Sequence, residues 1–250
     1  MEKKYLEARR LAERIAAGSD PPLFYVHKKN EVGASRKIFD SHPMVRRSLS
    51  IVQKGEDNFG HGLSHVSKVA VDAGALVMIE KGGTVPGQKL ERIILLAHVA
   101  GALHDIKREE PEHAERGAEE ANRILKDFHL TETECTAIVQ AIRNHEAFKP
   151  PQPLDEPSLQ IVSDALYDAD KFRWGPDNFT ETVWMMVEKM KVPYAALLKR
   201  FLPGLKGIER ISGTFRTSTG REYGPDFISR GLDIGRRLFG ELQERYGAEG

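Results

Sequence analysis

Two potential metal ligands, His104 and Asp105, directly follow a long apolar run of the chain. Residues 93–103 read IILLAHVAGAL, a pattern typical of a buried helix. An imidazole and a carboxylate buried side by side destabilise a fold unless each finds a partner. A divalent cation satisfies both, because imidazole and carboxylate are among its ordinary ligands. The pair therefore indicates a metal site, provided that other segments supply further ligands.

The geometry of a helix restricts how this pair can bind an ion. Successive residues lie about 100° apart around a helix, so both side chains reach one ion only beyond the helix end, where water has access. An ion with open coordination positions suits Lewis-acid chemistry, because it lowers the pKa of bound water. Hydrolysis of a phosphate ester is the natural reaction for such a site. Further candidate ligands lie on both sides of the pair, at His61, His65, His113, His145, Asp164, Asp168 and Asp170.

The order of these residues resembles the HD superfamily of metal-dependent phosphohydrolases. In that family a His near the start of one helix, an adjacent His-Asp pair closing a later helix and a distant Asp on a third helix converge on one metal. The resemblance covers residues 59–174, under half of the chain, and implies the ligands His65, His104, Asp105 and Asp170. It also implies an HD-domain helical bundle that hydrolyses a phosphomonoester or phosphodiester of a nucleotide or other small phosphorylated metabolite.

Some HD proteins hold a second ion through extra histidines, with the Asp of the pair as a bridge. The resemblance implies His113 and His145 for this role. His113 follows Asp105 by only eight residues, earlier than in the best-known binuclear members, so a phosphate-binding or surface role for it stays open. The expected cofactor is one or two divalent ions of Mn, Fe, Mg, Co, Ni or Zn.

Cations adjacent to the ligands suit an anionic, phosphorylated substrate. We expect Lys68 and Lys107 to act with Asp105 in catalysis, and His61, Arg108 and Lys171 to bind substrate. Each cation alone is also compatible with a solvated surface position. Two other activities remain open at this stage, a diiron oxygenase and a non-catalytic module that senses a nucleotide.

The other histidines and aspartates receive simpler interpretations. His98 is expected to be a core histidine, because it lies within the apolar run. Asp164 and Asp168 share a helix face that Asp170 does not, and Asp168 is expected to be a surface carboxylate near Lys171. No role is assigned to His27, His42 and His129.

Composition sets broad limits on partners and location. The 250 residues contain 37 Lys and Arg against 37 Asp and Glu, a balance that argues against a nucleic-acid partner or an anionic membrane. The single Cys135 excludes an intramolecular disulfide and a thiolate zinc finger and fits a reducing compartment. No signal core and no run of roughly 20 apolar residues is present. We therefore expect a soluble cytoplasmic protein, with homo-oligomerisation as an option.

Apolar residues recur at three- and four-residue spacing and strand-like alternation is scarce, so the fold class is expected to be all-α. Thr131 and Glu134 predict a capping box, Pro111 predicts the first turn of a helix, and 211–221 could be a hairpin or an ordered loop. No helix is predicted in 19–42. The expected division is an N-terminal extension at 1–55, an HD core at 56–190 and a C-terminal helical extension packing on the core at 191–250. The predicted helices are 2–17, 43–54, 61–81, 88–105, 111–127, 132–146, 157–172, 178–190, 193–202 and 225–247.

Overall fold

The computed structural model describes residues 3–55 and 61–246, without the side chains of residues 3, 55 and 61. Within these ranges the protein contains no β-strand, and the prediction of an all-α fold is confirmed. A 3₁₀ turn, Pro157–Leu159, precedes α9, and a π-helical turn, Asn178–Thr182, precedes α10. The helices are α1 Lys3–Ala17, α2 Leu23–His27, α3 Lys29–Ser41, α4 Pro43–Gly55, α5 His61–Lys81, α6 Gly87–Leu103, α7 His113–Leu125, α8 Glu132–Arg143, α9 Gln160–Phe172, α10 Val183–Lys189, α11 Tyr194–Ile211 and α12 Ser218–Tyr246.

Helices α2 and α3 lie in the segment for which no helix was predicted. Within α3 only Ser35 and Phe39 are buried, one turn apart, so its apolar face is too sparse to produce a helical pattern in the sequence. Prolines precede α2, and Gly33 lies inside α3. Tertiary packing therefore overrides weak local propensity in this segment.

Two prolines lie inside helices, although the predicted helices ended before Pro203 and began at Pro225. Helix α11 continues through Pro203, and α12 begins seven residues before Pro225. A proline in a helix interior costs about 3 kcal/mol. In α11 the burial of Leu205, Ile208 and Ile211 at three-residue spacing offsets this cost. The alternative of a hairpin at 211–221 is wrong, because only residues 212–217 are non-helical.

The chain forms two compact units. The site unit comprises residues 27–170 and 215–222, and the flanking unit comprises the described parts of 1–26, 171–214 and 223–250. Both units are discontinuous in sequence. The site unit contains α3–α8 and most of α9, whereas α1, α10 and α11 belong to the flanking unit.

The central pair of the site unit is α5 and α6, an antiparallel hairpin joined by residues 82–86. The two helices approach most closely at Gly101, where an added Cβ would lie 2.5 Å from the Cα of Ala70. His65 precedes Ala70 by five residues, and His104 follows Gly101 by three. Because the two helices are antiparallel, the N-terminal direction along α5 and the C-terminal direction along α6 lead to the same end of the pair. Small residues at the crossing therefore bring His65 and His104 together.

Helix α5 is long and apolar enough to cross a membrane by length and composition alone. Buried helices of other proteins share this property. Here α5 packs against α3 and α6, and Val66, Val69 and Ala70 are buried within that packing. Its packing in the site unit therefore accounts for its composition.

His98 is fully buried on α6, which confirms its prediction as a core residue. Its Nε2 lies 2.9 Å from Ser35 Oγ, whose hydroxyl donates to the carbonyl of Val71 at 2.7 Å. Since the Ser35 proton is used in that bond, His98 Nε2 must donate to Ser35 Oγ, and the proton is on Nε2. His98 Nδ1 is buried without a hydrogen-bond partner. Burial lowers the pKa of His98 to about 3, so the ring is neutral.

Candidate metal centre

Four side chains from three segments form the primary ligand group. His65 lies on α5, Asp170 on α9, and His104 and Asp105 immediately follow the end of α6. His65 Nε2 lies 3.3 Å from His104 Nε2, 3.5 Å from Asp105 Oδ2 and 3.4 Å from Asp170 Oδ1. His104 Nε2 lies 3.4 Å from Asp105 Oδ2 and 3.7 Å from Asp170 Oδ1. The four ligand atoms therefore surround one small volume.

A second group of ligand atoms lies on the other side of the Asp105 carboxylate. His113, at the start of α7, has its Nε2 3.2 Å from Nε2 of His145, which follows the end of α8. His145 Nε2 lies 3.7 Å from Asp105 Oδ1, and one ligand atom from each of the three residues lies within 4.8 Å of the others. Oδ2 of Asp105 faces the primary group and Oδ1 faces this second group. The carboxylate is therefore placed as a bridge between the two groups.

Backbone carbonyls fix the orientation of two imidazoles. His104 Nδ1 lies 2.8 Å from the carbonyl oxygen of Gly101, and His145 Nδ1 lies 2.6 Å from that of Ile142. A carbonyl only accepts, so Nδ1 of each ring is the donor. In the neutral ring Nε2 then carries a lone pair that faces the other ligand atoms. This is the usual arrangement of a metal-binding histidine with its supporting hydrogen bond.

Burial and neighbouring charges shift the pKa values of His104 and Asp105 in the primary group. The side chain of His104 is fully buried and that of Asp105 is 8% exposed. Burial alone would raise the pKa of Asp105, but His104 and Arg108 hold it well below its usual range. Burial lowers the pKa of His104, but the carboxylates of Asp105 and Asp170 outweigh it and hold that pKa above its usual value. The two carboxylates thus create a strongly negative local potential.

The residues fit a divalent cation. Ligand atoms placed about 2.1 Å from a tetrahedral centre lie about 3.4 Å from one another, and the measured separations in the primary group are 3.3–3.7 Å. With neutral imidazoles, the two carboxylates give the donor set a formal charge of −2. His and Asp groups at this site could therefore hold a metal ion.

The proline-rich segment at residues 150–157 supports His145 through the neighbouring residue Asn144. Asn144 Nδ2 donates to the carbonyl of Gln152 at 2.8 Å and to Ser163 Oγ at 3.1 Å. Asn144 Oδ1 accepts from the backbone N–H of Gln152 at 3.0 Å. These bonds tie the end of α8 to the segment that follows it and to α9. The residue that precedes a ligand is therefore held from two directions.

Asp168 is a buried structural residue, and its prediction as a surface carboxylate is wrong. Its side chain accepts the backbone N–H groups of Arg216 and Thr217, both at 2.8 Å, and the Thr217 hydroxyl at 2.7 Å. Burial raises the pKa of Asp168 to about 6, against the opposing effect of these hydrogen bonds. Asp168 therefore anchors the loop before α12.

Arg216 is a site-supporting residue that the sequence analysis missed. Its guanidinium carbon lies 3.6 Å from the centroid of the Tyr167 ring, and its Nη2 donates to the carbonyl of Asn144 at 3.0 Å. It thus contacts the residue directly before His145. The Thr-Ser-Thr sequence at 217–219 is a helix N-cap signal that could have located the start of α12.

The predicted catalytic and substrate-binding cations occupy different environments. Arg108 donates to Asp105 Oδ2 and its side chain is 51% exposed. Lys107 pairs with Glu110 at 3.1 Å. Lys68 is half-buried on α5, three residues after His65, and Lys171 is buried directly after Asp170. Their roles toward substrate stay predictions.

His61, the other residue predicted to bind substrate, begins α5, but its side chain lies outside the described residues.

Comparisons with protein-family models, with curated proteins and with solved structures found no match. The interpretation of the site therefore depends on its own geometry and chemistry.

Proposed function

We propose that this chain is a divalent-metal-dependent phosphohydrolase, a phosphomonoesterase or phosphodiesterase acting on a small phosphorylated metabolite. The bridging position of Asp105 carries the proposal, because its two oxygens face two separate groups of imidazole ligands. A structural site holds one isolated ion within four ligands, whereas two adjacent ligand groups that share a carboxylate are typical of hydrolytic centres.

The chain would divide the binding of two ions between these groups. His65, His104, Asp170 and Oδ2 of Asp105 would hold one ion, and His113, His145 and Oδ1 of Asp105 would hold the other. Bound divalent ions lower the pKa of coordinated water and polarise a phosphoryl oxygen. Manganese, iron, magnesium, cobalt, nickel and zinc are the candidates, and the nitrogen-rich second group favours a transition metal over magnesium.

Arg108 would bind the substrate phosphate. A guanidinium has five N–H donors, and one of them donates to Asp105. With its side chain half-exposed, Arg108 can offer other donors to phosphoryl oxygens while it keeps Asp105 in place. It would thereby position the phosphoryl group and stabilise charge that develops during reaction.

The test begins with the purified chain, stripped of metal and reloaded with each of the six candidate metals. We expect phosphate release from at least one ester in a panel of nucleotides and sugar phosphates, and reversible loss with a chelator. His104→Ala should lower bound metal and abolish release, whereas His129→Ala, an exposed histidine outside both groups, should leave both unchanged. Absence of phosphate release with every metal would refute hydrolysis. Iron-dependent oxygen consumption would instead support the diiron oxygenase.

A further inference from the structure

Arg216 contacts the peptide group that leads into the ligand His145. Its Nη2 donates to the carbonyl of Asn144 at 3.0 Å. That carbonyl and the backbone N–H of His145 belong to one planar peptide unit and point in opposite directions. The His145 N–H donates to the carbonyl of Ile142 at 3.4 Å. The peptide is therefore held from both sides, by α8 on one side and by Arg216 on the other.

The same hydrogen bond caps the C-terminal end of α8. Carbonyl groups at a helix end have no partner within the helix, and a cation there also complements the negative end of the helix dipole. Helix α8 ends at Arg143, with Asn144 as its C-cap. Arg216 supplies both a donor and a positive charge at this end, from 72 residues further along the chain. His145 directly follows the cap, so a displaced helix end would move this ligand.

Arg216 is itself fixed at two further points, both on α9. Its backbone N–H donates to Asp168 Oδ1 at 2.8 Å, and its guanidinium carbon lies 3.6 Å from the centroid of the Tyr167 ring. All of these contacts lie within the site unit. The guanidinium therefore reaches the end of α8 from a fixed position on α9.

The guanidinium of Arg216 differs from that of Arg108 in its access to solvent. Nη1 of Arg216 is buried and has no hydrogen-bond partner among the described residues. Arg108 donates to Asp105 and has a side chain that is 51% exposed. A buried donor is not available to a substrate that enters from solvent. Arg216 therefore contributes to the site through the peptide that it holds.

We propose that Arg216 is a positioning residue of the second ligand group and sets how tightly His113 and His145 hold the second ion. This inference rests on the two-ion site of the proposed function. Replacement of a residue that orients a metal ligand typically lowers metal affinity by about 10–100-fold. The His145 peptide is not part of the primary group, so the first ion should keep its affinity.

Charge alone predicts the opposite direction of change. A cation near a metal site repels the bound ion, so removal of the Arg216 charge would tighten metal binding. Loss of the hydrogen bond to Asn144 instead frees the His145 peptide and should weaken binding. The direction of the change therefore distinguishes positioning from simple electrostatics.

The experiment titrates the metal-free full chain with Co²⁺ alone, followed by calorimetry and by visible absorption, which reports ligand geometry. His113→Ala assigns the two binding steps, because it removes a ligand of the second group only. Arg216→Met keeps an unbranched side chain beside Tyr167 and loses the donor. We expect it to raise the Kd of the second ion by about 10–100-fold and to leave the Kd of the first ion unchanged.

Arg216→Lys tests rescue by a residue that keeps the donor and the charge. Its Kd for the second ion should lie between those of wild type and Arg216→Met, because lysine lacks the planar group that stacks on Tyr167. Electrostatic repulsion alone would instead make Arg216→Lys equal to wild type and weaker than Arg216→Met.

Arg92→Met is the matched control in the same unit. Arg92 also donates to a backbone carbonyl, that of His129 at 2.8 Å, and it pairs with Glu134. It precedes His104 by twelve residues, about 18 Å along the axis of α6. Its replacement should lower the melting temperature and leave both Kd values for Co²⁺ unchanged.

Several results would overturn the inference. Unchanged or tighter binding of the second ion by Arg216→Met would do so, and so would an equal loss of affinity for both ions, which indicates a general structural role. If Arg216→Met does not fold, Arg216→Lys decides, because a Kd for the second ion equal to that of wild type would contradict positioning by the guanidinium.

The two proposals can fail separately. A wild type that binds a single Co²⁺ ion would overturn the role of Arg216, whereas phosphate release by that one-ion protein would leave hydrolysis intact. Two bound ions with the expected order of Kd values, but no phosphate release with any metal, would refute hydrolysis and support the role of Arg216.

Discussion

Acidification should destabilise this protein through the buried His98. Its pKa is about 3 in the folded protein and about 6.5 in the unfolded chain. Between these values the unfolded state binds a proton that the folded state excludes, so stability falls as pH falls. The stabilisation is complete above pH 6.5 and is lost progressively toward pH 3. Each pH unit in this window changes the free energy of unfolding by about 1.4 kcal/mol, or about 2 kcal/mol from pH 6.5 to 5.

Urea unfolding at a series of pH values, with wild type and His98→Met, measures this effect. Methionine has a similar volume and does not titrate, so the difference between the two proteins isolates His98 from the ligand histidines. We expect the wild type to lose about 2 kcal/mol more than the variant between pH 6.5 and 5. Ser35→Ala is the matched control, because it removes the hydroxyl beside His98 and keeps the buried ring. Identical pH slopes for wild type and His98→Met would refute the reasoning.

Three further predictions follow from the packing and the donor set. Gly101→Ala would place a Cβ 2.5 Å from the Cα of Ala70, so it should lower the free energy of unfolding by about 1–3 kcal/mol and weaken metal binding. Gly87→Ala should change neither stability nor metal binding, because no atom lies within 4 Å of its added Cβ. Equal urea midpoints for Gly101→Ala and Gly87→Ala would contradict the first prediction. Asp168→Asn replaces one of the two acceptor oxygens with an NH2 donor, so the backbone N–H of either Arg216 or Thr217 loses its acceptor. We expect a cost of about 1–3 kcal/mol in urea unfolding. Unchanged stability would show that the loop finds another acceptor. Removal of a metal that is present at 100 times its Kd should lower the free energy of unfolding by about 2.7 kcal/mol. A chelator should therefore lower the Tm of the wild type and leave the Tm of His104→Ala unchanged.

Part of the fold and of the site could be predicted from residue types and local spacing. The capping box of Thr131 and Glu134 is confirmed, since both of its hydrogen bonds are present. The helix predicted at 88–105 is present as α6 and ends two residues earlier, at Leu103, so His104 and Asp105 lie at the helix end as expected. These features depend on a few neighbouring residues, so the sequence carries them directly.

Other features depend on partners that are distant in the sequence. The acceptor role of Asp168 requires the backbone N–H groups of residues 48 and 49 positions later. Nothing in the helical pattern around Asp168 distinguishes a surface carboxylate from a buried one. Pro111 was expected in the first turn of α7, but the helix begins at His113 after the left-handed Glu112. A strained backbone position of this kind has no signature in residue type.

The spread of the ligands along the chain also determines when the site can assemble during synthesis. His65 and Asp170 are separated by 105 residues, and Arg216, which contacts the carbonyl of Asn144, follows 46 residues later. At a translation rate of about 5–20 residues per second, about 5–20 s pass between synthesis of the first and last primary ligands. In the later part of that interval a growing chain holds His65, His104 and Asp105 without Asp170. The complete set of four candidate ligand atoms therefore exists only after α9 has left the ribosome and folded.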